Sequence, residues 1–254
     1  MQELRESPMR RLIMKNGRRV LDRANRRLAR SSPLGDRPVF DPRAFDWIER
    51  VEAATPLIRS ELDEVLREPA RIPEFRDVSK DQAHLAPEGT WKTFFFHAYG
   101  HRAERNCARC PITARVVESI PGMQTAFFSI LAPGARIRPH RGPHAGVLRY
   151  HLGLIVPASD ERCAIRVDDQ ILHWREGGSL VFDDTYEHEA WNETDQPRVV
   201  LFVDFERPLH GVARSLNRGF TRLVAMSPFV REGVENFERW DEAERARERE
   251  ARAS

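Results

Sequence analysis

Two histidines define the chemistry open to this chain. His140 stands in Pro139-His140-Arg141-Gly142-Pro143-His144, and His188 lies 48 positions later in Phe182-Asp183-Asp184-Thr185-Tyr186-Glu187-His188-Glu189-Ala190-Trp191. Imidazole nitrogen suits zinc, copper, iron and nickel, and a centre with two or three protein ligands leaves positions open for substrate and oxygen. Each histidine has an arginine nearby. Arg149 falls in Leu148-Arg149-Tyr150-His151-Leu152, and Arg198 follows His188 by ten residues, at the head of the apolar run Val199 to Val203. In a strand, Arg149 and His151 point to the same face. On a sheet that otherwise buries Leu and Ile, that pair requires an anion, because an unpaired buried charge is costly. Arg198 invites a second anion by bidentate pairing. The pattern suits a metal site that also holds a dicarboxylate.

Such a site needs a rigid sheet to carry it. From Gln124 onward, short runs rich in Ile, Val, Leu and Phe (127–131, 146–156, 164–167, 179–182 and 198–205) alternate with turns at Pro133-Gly134, Asp168-Asp169 and Gly177-Gly178. Five strands so spaced, with no helices between them, predict an antiparallel sandwich or small barrel. Trp91 to His97 is a further strand by aromatic content. Helices are expected over 42–68, where Pro56 opens the second, and over 111–120, ended by Pro121-Gly122; a charged helical tail occupies 235–252. Both histidines fall where a strand meets a turn.

Composition bounds the class. The chain has 254 residues, 41% of them hydrophobic, with five Trp and fourteen Phe, enough for a substantial core. A formal charge of +2 does not point to nucleic acid, but residues 1–31 hold ten Lys or Arg against three Asp or Glu. This basic arm, residues 10–30 above all, is expected to be solvated or to touch an anionic membrane surface. No run approaches the roughly 18 apolar residues of a membrane span, and the first thirty residues lack the apolar core of a signal peptide. A cytoplasmic location, peripheral at the inner membrane surface, is the expectation. Cys107, Cys110 and Cys163 are too few and too odd in number for a disulfide scaffold. Cys107 and Cys110 lack a second pair that would complete a zinc site, and read as ordinary thiols. His97, His101, His144 and His173 are not expected to be ligands, although His101 or His144 would suit a substrate entrance.

The stretch from Trp91 to Pro208 resembles a known family. Phe128-Ser129-Ile130-Leu131-x-Pro133-Gly134, His140-Arg141-Gly142-Pro143, Leu148 to Leu154, Trp174-Arg175-Glu176-Gly177 and Phe182 to Asn192 occur in the order and spacing of the aspartyl/asparaginyl β-hydroxylases. These are Fe(II)/2-oxoglutarate oxygenases whose bacterial branch includes lipid A acyl-chain hydroxylases. The resemblance implies a mainly β fold with flanking helices around a double-stranded β-helix (jelly-roll, cupin-like). It divides the chain into a basic arm and linker (1–36), an oxygenase domain with N-terminal helices (37–210) and a C-terminal helical extension (211–254).

The resemblance also implies roles. His140 and His188 would hold Fe(II). Most 2-oxoglutarate oxygenases place a carboxylate two positions after the first histidine; Gly142 stands there, matching a family in which water replaces the acid. Asp184 would support that water and serve catalysis, with Asp183 as competitor. Arg198 and Ser129 would bind the distal carboxylate of 2-oxoglutarate, while Arg149 and His151 would face the carboxylate beside the keto group. The implied reaction uses molecular oxygen to hydroxylate an unactivated C–H bond, with succinate and CO2 as co-products. The substrate stays open between a peptide Asp/Asn side chain, an amino-acid derivative and a lipid acyl chain, and the alternative is a catalytically silent jelly-roll binding or sensing module.

Overall fold

The computed structural model describes residues 21–253. Of the basic arm, residues 10–20 lie outside the described residues, whereas residues 21–30 form a helix, α1. The helices that follow are α2 (Ile48–Ala53), α3 (Thr55–Leu66), α4 (Phe75–Val78), α5 (Glu104–Arg109) and α6 (Pro111–Glu118), with α7 (Gly211–Ala225) and α8 (Pro228–Ala253) at the end. The strands are β1 (Val39–Phe40), β2 (Trp91–Ala98), β3 (His101–Arg102), β4 (Met123–Leu131), β5 (Ala135–His140), β6 (Val147–Ile155), β7 (Cys163–Val167), β8 (Gln170–His173), β9 (Ser179–Phe182), β10 (His188–Asn192) and β11 (Arg198–Glu206).

The strands form an antiparallel seven-stranded sheet, β1-β9-β6-β11-β4-β2-β3, and a four-stranded sheet, β5-β10-β7-β8. Leu131, Phe182 and Val200 of the larger sheet share one apolar cluster with Ile137, Ile165 and Ala190 of the smaller. The sheets therefore close face to face, and the fold is mainly β with flanking helices, as expected.

Strand parity decides which residues reach the interior. Along β11, Val199, Leu201, Val203 and Phe205 join a core with Val51, Ile58 and Leu62 of α2 and α3 and with Val117 of α6. The alternate set, Arg198, Val200, Phe202 and Asp204, faces the smaller sheet. On β6, Leu148, Tyr150, Leu152 and Leu154 enter the helix-side core, which turns Arg149 and His151 inward. A strand buried on both faces reads as a continuous apolar run. That is why β11 and β6 are visible in the sequence.

The helices are fixed by polar contacts. The Glu61 carboxylate accepts from Ile112 N at 2.7 Å, Thr113 N at 2.8 Å and Thr113 Oγ1 at 2.7 Å. It thereby satisfies orphan donors at the start of α6. Asn25 of α1 donates to Pro143 O at 3.0 Å and accepts from Ala145 N at 3.1 Å, so one face of this part of the arm is docked on the barrel while its arginines stay exposed. Asn236 of α8 donates to Val78 O at 3.2 Å, and Phe237 packs on Phe95. The C-terminal extension is thus a wall of the domain.

Candidate active site

His140 ends β5 and His188 begins β10, and the two residues pair directly across that ladder. Their rings lie 4.1 Å apart between centroids. Nδ1 of His140 is 2.8 Å from Arg138 O, and Nδ1 of His188 is 3.0 Å from Tyr186 O. A carbonyl oxygen only accepts, so both Nδ1 atoms carry the proton and both Nε2 atoms keep a lone pair. Burial holds His140 down to about 4 and His188 well below the ordinary imidazole value, so both are neutral near pH 7. Metal binding requires that protonation state.

Arg149 organises the inner end of the site. Its Nη2 lies 2.9 Å from Asp184 and its Nε donates to Asp204 at 3.0 Å, while its guanidinium stacks on Phe202 at 4.4 Å. Nη1 is aimed at His188 Nε2, 3.3 Å away. The anion that Arg149 demands is therefore supplied largely by the protein, and Nη1 is the part directed at the histidines. Burial raises the Asp184 carboxyl above the usual range while Arg149 pulls it the other way. Asp183, its neighbour, faces elsewhere: it pairs with the buried Arg207 and accepts from Thr185 Oγ1 at 2.6 Å. Gly142 N donates to Asp184 O at 2.6 Å, and a Cβ built on Gly142 would collide with the Asp184 carboxylate.

A second set of polar groups lies further along the same interior face. Among the described residues, Nε and Nη1 of the fully buried Arg198 have no hydrogen-bond partner, and neither does Nε2 of His151. Arg198 stacks over Trp174 at 4.5 Å, and Trp174 Nε1 donates to His151 Nδ1 at 3.3 Å. Burial pulls the Arg198 guanidinium down to about 10. Ser129, opposite Val200 on β4, accepts from Trp91 Nε1 at 3.0 Å. Buried donors without partners cost roughly 1–3 kcal/mol each. A linear dicarboxylate would satisfy them, and the neutral histidine pair fits a divalent metal.

From His140, Arg149 and Asp184 a cavity of about 320 Å³ extends along an aromatic wall that includes Phe75, Phe95, Phe127, Phe202 and Phe237. Phe127 stacks on Phe202 at 4.1 Å and Phe75 on Trp91 at 4.0 Å. His101 and His144 line this cavity. Asp204 and Tyr99 are absent from the sequence-based set. Asp204 carries a legible signal, being a lone acid in an apolar run. Tyr99, at φ 46, lines the cavity, and burial followed by Asp204 and Asp184 raises its phenol. Elsewhere among the described residues, His97, Cys107 and Glu118 place ligand atoms within 4.8 Å of one another. Arg102 already donates to Glu118 at 2.9 Å, and burial pushes the Cys107 thiol up to about 11, both unfavourable to a metal.

Comparison with known proteins gives the chain its class. The model of the aspartyl/asparaginyl beta-hydroxylase family matches residues 52–208. An ornithine lipid ester-linked acyl 2-hydroxylase of Rhizobium tropici is 48% identical over 208 residues, covering 82% of this chain and 74% of that protein. The human aspartyl/asparaginyl beta-hydroxylase is 35% identical over 133 residues, 50% of this chain but 17% of that protein. A Pseudomonas putida prolyl-4-hydroxylase structure aligns with 62% of this chain and 88% of its own at 17% identity and TM-score 0.38. The protein is a hydroxylase. The chain belongs to the aspartyl/asparaginyl β-hydroxylase family.

Proposed function

We propose that the protein hydroxylates a lipid acyl chain in a reaction dependent on Fe(II) and 2-oxoglutarate. The observation that carries the substrate reading is the cavity, along which Phe75, Trp91, Phe95, Phe127, Phe202 and Phe237 form an aromatic wall, with polar residues such as Ser79, Gln82 and Asn236 at its margins. Its volume is at the small end of the roughly 300–1,000 Å³ of ligand pockets. An acyl chain would lie against these rings, whereas a peptide backbone would bring donors and acceptors that the Phe75, Phe95 and Phe127 surfaces cannot satisfy. The 48% identity to an ornithine lipid ester-linked acyl 2-hydroxylase supports the same reading.

His140 and His188 would hold the iron through Nε2, each oriented by the carbonyl on its Nδ1. Iron with 2-oxoglutarate and molecular oxygen supplies the oxidising power for an unactivated C–H bond, leaving succinate and CO2. The chain's residues supply position and dryness. Arg198 would pair with the distal carboxylate, with Ser129 Oγ beside it, and the buried setting would make that pair stronger than in water. His151 Nε2 and Arg149 Nη1 would face the carboxylate beside the keto group. Asp184, fixed by Arg149, would accept a hydrogen bond from a water held at the iron, the role that lets Gly142 stand without a carboxylate. The aromatic wall would keep other water from the oxidising centre.

The test offers the purified protein Fe(II), 2-oxoglutarate and, in parallel, acylated lipids and Asp- or Asn-containing peptides. Mass spectrometry should find one added oxygen on the acyl chain; oxygen added to the peptides alone would reject the lipid reading.

A further inference from the structure

Helix α7 has an apolar face that the other described residues leave uncovered. Val212, Leu216, Phe220, Leu223 and Met226 recur at helical spacing and are between 41% and 75% exposed, a contiguous row rather than scattered surface residues. The opposite face is anchored: Asn217 donates to Gly146 O at 3.0 Å and its Oδ1 is 2.7 Å from His144 Nε2, and Thr221 is buried. Phe220, Thr221 and Val224 also line the substrate cavity, so the apolar row runs into the cavity wall.

The charge around this row points to its occupant. Arg214, Arg218 and Arg222 follow one another every fourth residue along one flank of the row, and α7 contains no Asp or Glu. Arg218 reaches Glu206 at 3.5 Å; the others extend into solvent. Helix α1 clamps the same loop through Asn25, at Pro143 and Ala145, and exposes Arg23, Arg26 and Arg27. A second copy on this face would set the arginine row against itself about a twofold axis. Residues 1–20, with six Lys or Arg and two Glu, would bring like charge to it as well. An anionic bilayer satisfies both features: an in-plane helix buries its apolar row at the headgroup boundary while arginine stems snorkel to the phosphates.

We propose that α7 is an in-plane membrane-docking helix that seats the cavity against an anionic bilayer, so that a lipid acyl chain passes from membrane to site along a continuous apolar path. The substrate part of this statement rests on the acyl-hydroxylase reading; the docking part does not.

The experiment uses the full chain and vesicles of equal parts phosphatidylglycerol and phosphatidylcholine, with pure phosphatidylcholine as comparison. The protein should sediment with the anionic vesicles and less as salt rises. Leu216→Glu/Leu223→Glu, two exposed positions, should weaken sedimentation by roughly 10-fold or more. The variant should retain the secondary structure and the 2-oxoglutarate turnover of the parent. Failure to bind anionic vesicles at low salt overturns the proposal. So does a parent dimer that the Glu pair dissociates without any vesicle binding, which would assign the face to a second copy. Binding that survives the Glu pair but is lost on deleting residues 1–20 assigns docking to the arm and overturns it equally. Vesicle binding that depends on Leu216 and Leu223, without oxygen added to any lipid, upholds docking and rejects the substrate reading alone.

Discussion

The Asp184 carboxylate occupies the space that a side chain on Gly142 would enter. The glycine and the aspartate are also tied through the backbone, Gly142 N donating to Asp184 O at 2.6 Å. A carboxylate therefore takes the space beside residue 142 after all, but it comes from the strand-to-turn segment before His188 and is held by Arg149, whose Nη1 is aimed at His188.

Gly142→Asp should consequently reduce activity instead of restoring a two-histidine, one-acid centre. The new Cβ must displace Asp184, and the second carboxylate would sit against the first. Gly142→Ala should show the steric part alone, a loss of about 1–3 kcal/mol, seen as a melting point lower by several degrees. A several-fold gain in turnover for Gly142→Asp would mean that Asp184 does not take the place of a carboxylate at residue 142.

Arg198 is expected to bear on stability and cosubstrate in opposite directions. Its guanidinium is fully buried with Nε and Nη1 unpaired among the described residues, so Arg198→Met should raise the melting temperature of the protein without cosubstrate. Adding 2-oxoglutarate with metal should raise the melting temperature of the parent and not of the variant. In kinetics, Arg198→Ala should raise the apparent 2-oxoglutarate constant roughly 10-fold or more, the equivalent of a lost charge-assisted pair of about 1.5–3 kcal/mol. Arg198→Lys should recover little, because an ammonium lacks the planar fork. An unchanged cosubstrate constant in the Ala variant contradicts the assignment.

Much of this is legible in residue type. His140 and His188 sit at turns, Arg149 and His151 share parity, and the run after Arg198 marks a strand buried on both sides; the fold class follows from the same runs. Strands β5 and β10 escape a reading by apolar runs because Arg136, Arg138 and Glu189 interrupt them, although Ala135 and Ile137 alternate inward. The pairing of Arg149 with Asp204 requires the β6–β11 register, a non-local fact. The cavity likewise depends on α8 returning to lay Phe237 against Phe95, a contact that no local pattern specifies.

The buried thiols carry a pH dependence. Burial pushes Cys107 up to about 11 and Cys110 up to about 12, from an ordinary value of 9.0. A raised folded-state value makes their contribution to stability complete below about pH 9 and lost progressively as pH rises toward 11 and 12. Native protein at about pH 8 should resist iodoacetamide while urea-unfolded protein is alkylated rapidly. The urea midpoint should fall between about pH 8.5 and 10.5, and less so in Cys107→Ala/Cys110→Ala. Rapid native alkylation would show these thiols to be accessible.

The central claim is that His140 and His188 together hold the iron that drives hydroxylation. It is tested most directly by measuring succinate and hydroxylated acyl product side by side for the parent, His140→Ala and His188→Ala, each stripped of metal and resupplied with Fe(II). The parent should form the two products in equal amounts only with iron. Each variant should bind no iron and form neither, while circular dichroism shows the barrel intact. Near-parental product from either variant, or product without iron, would contradict the claim.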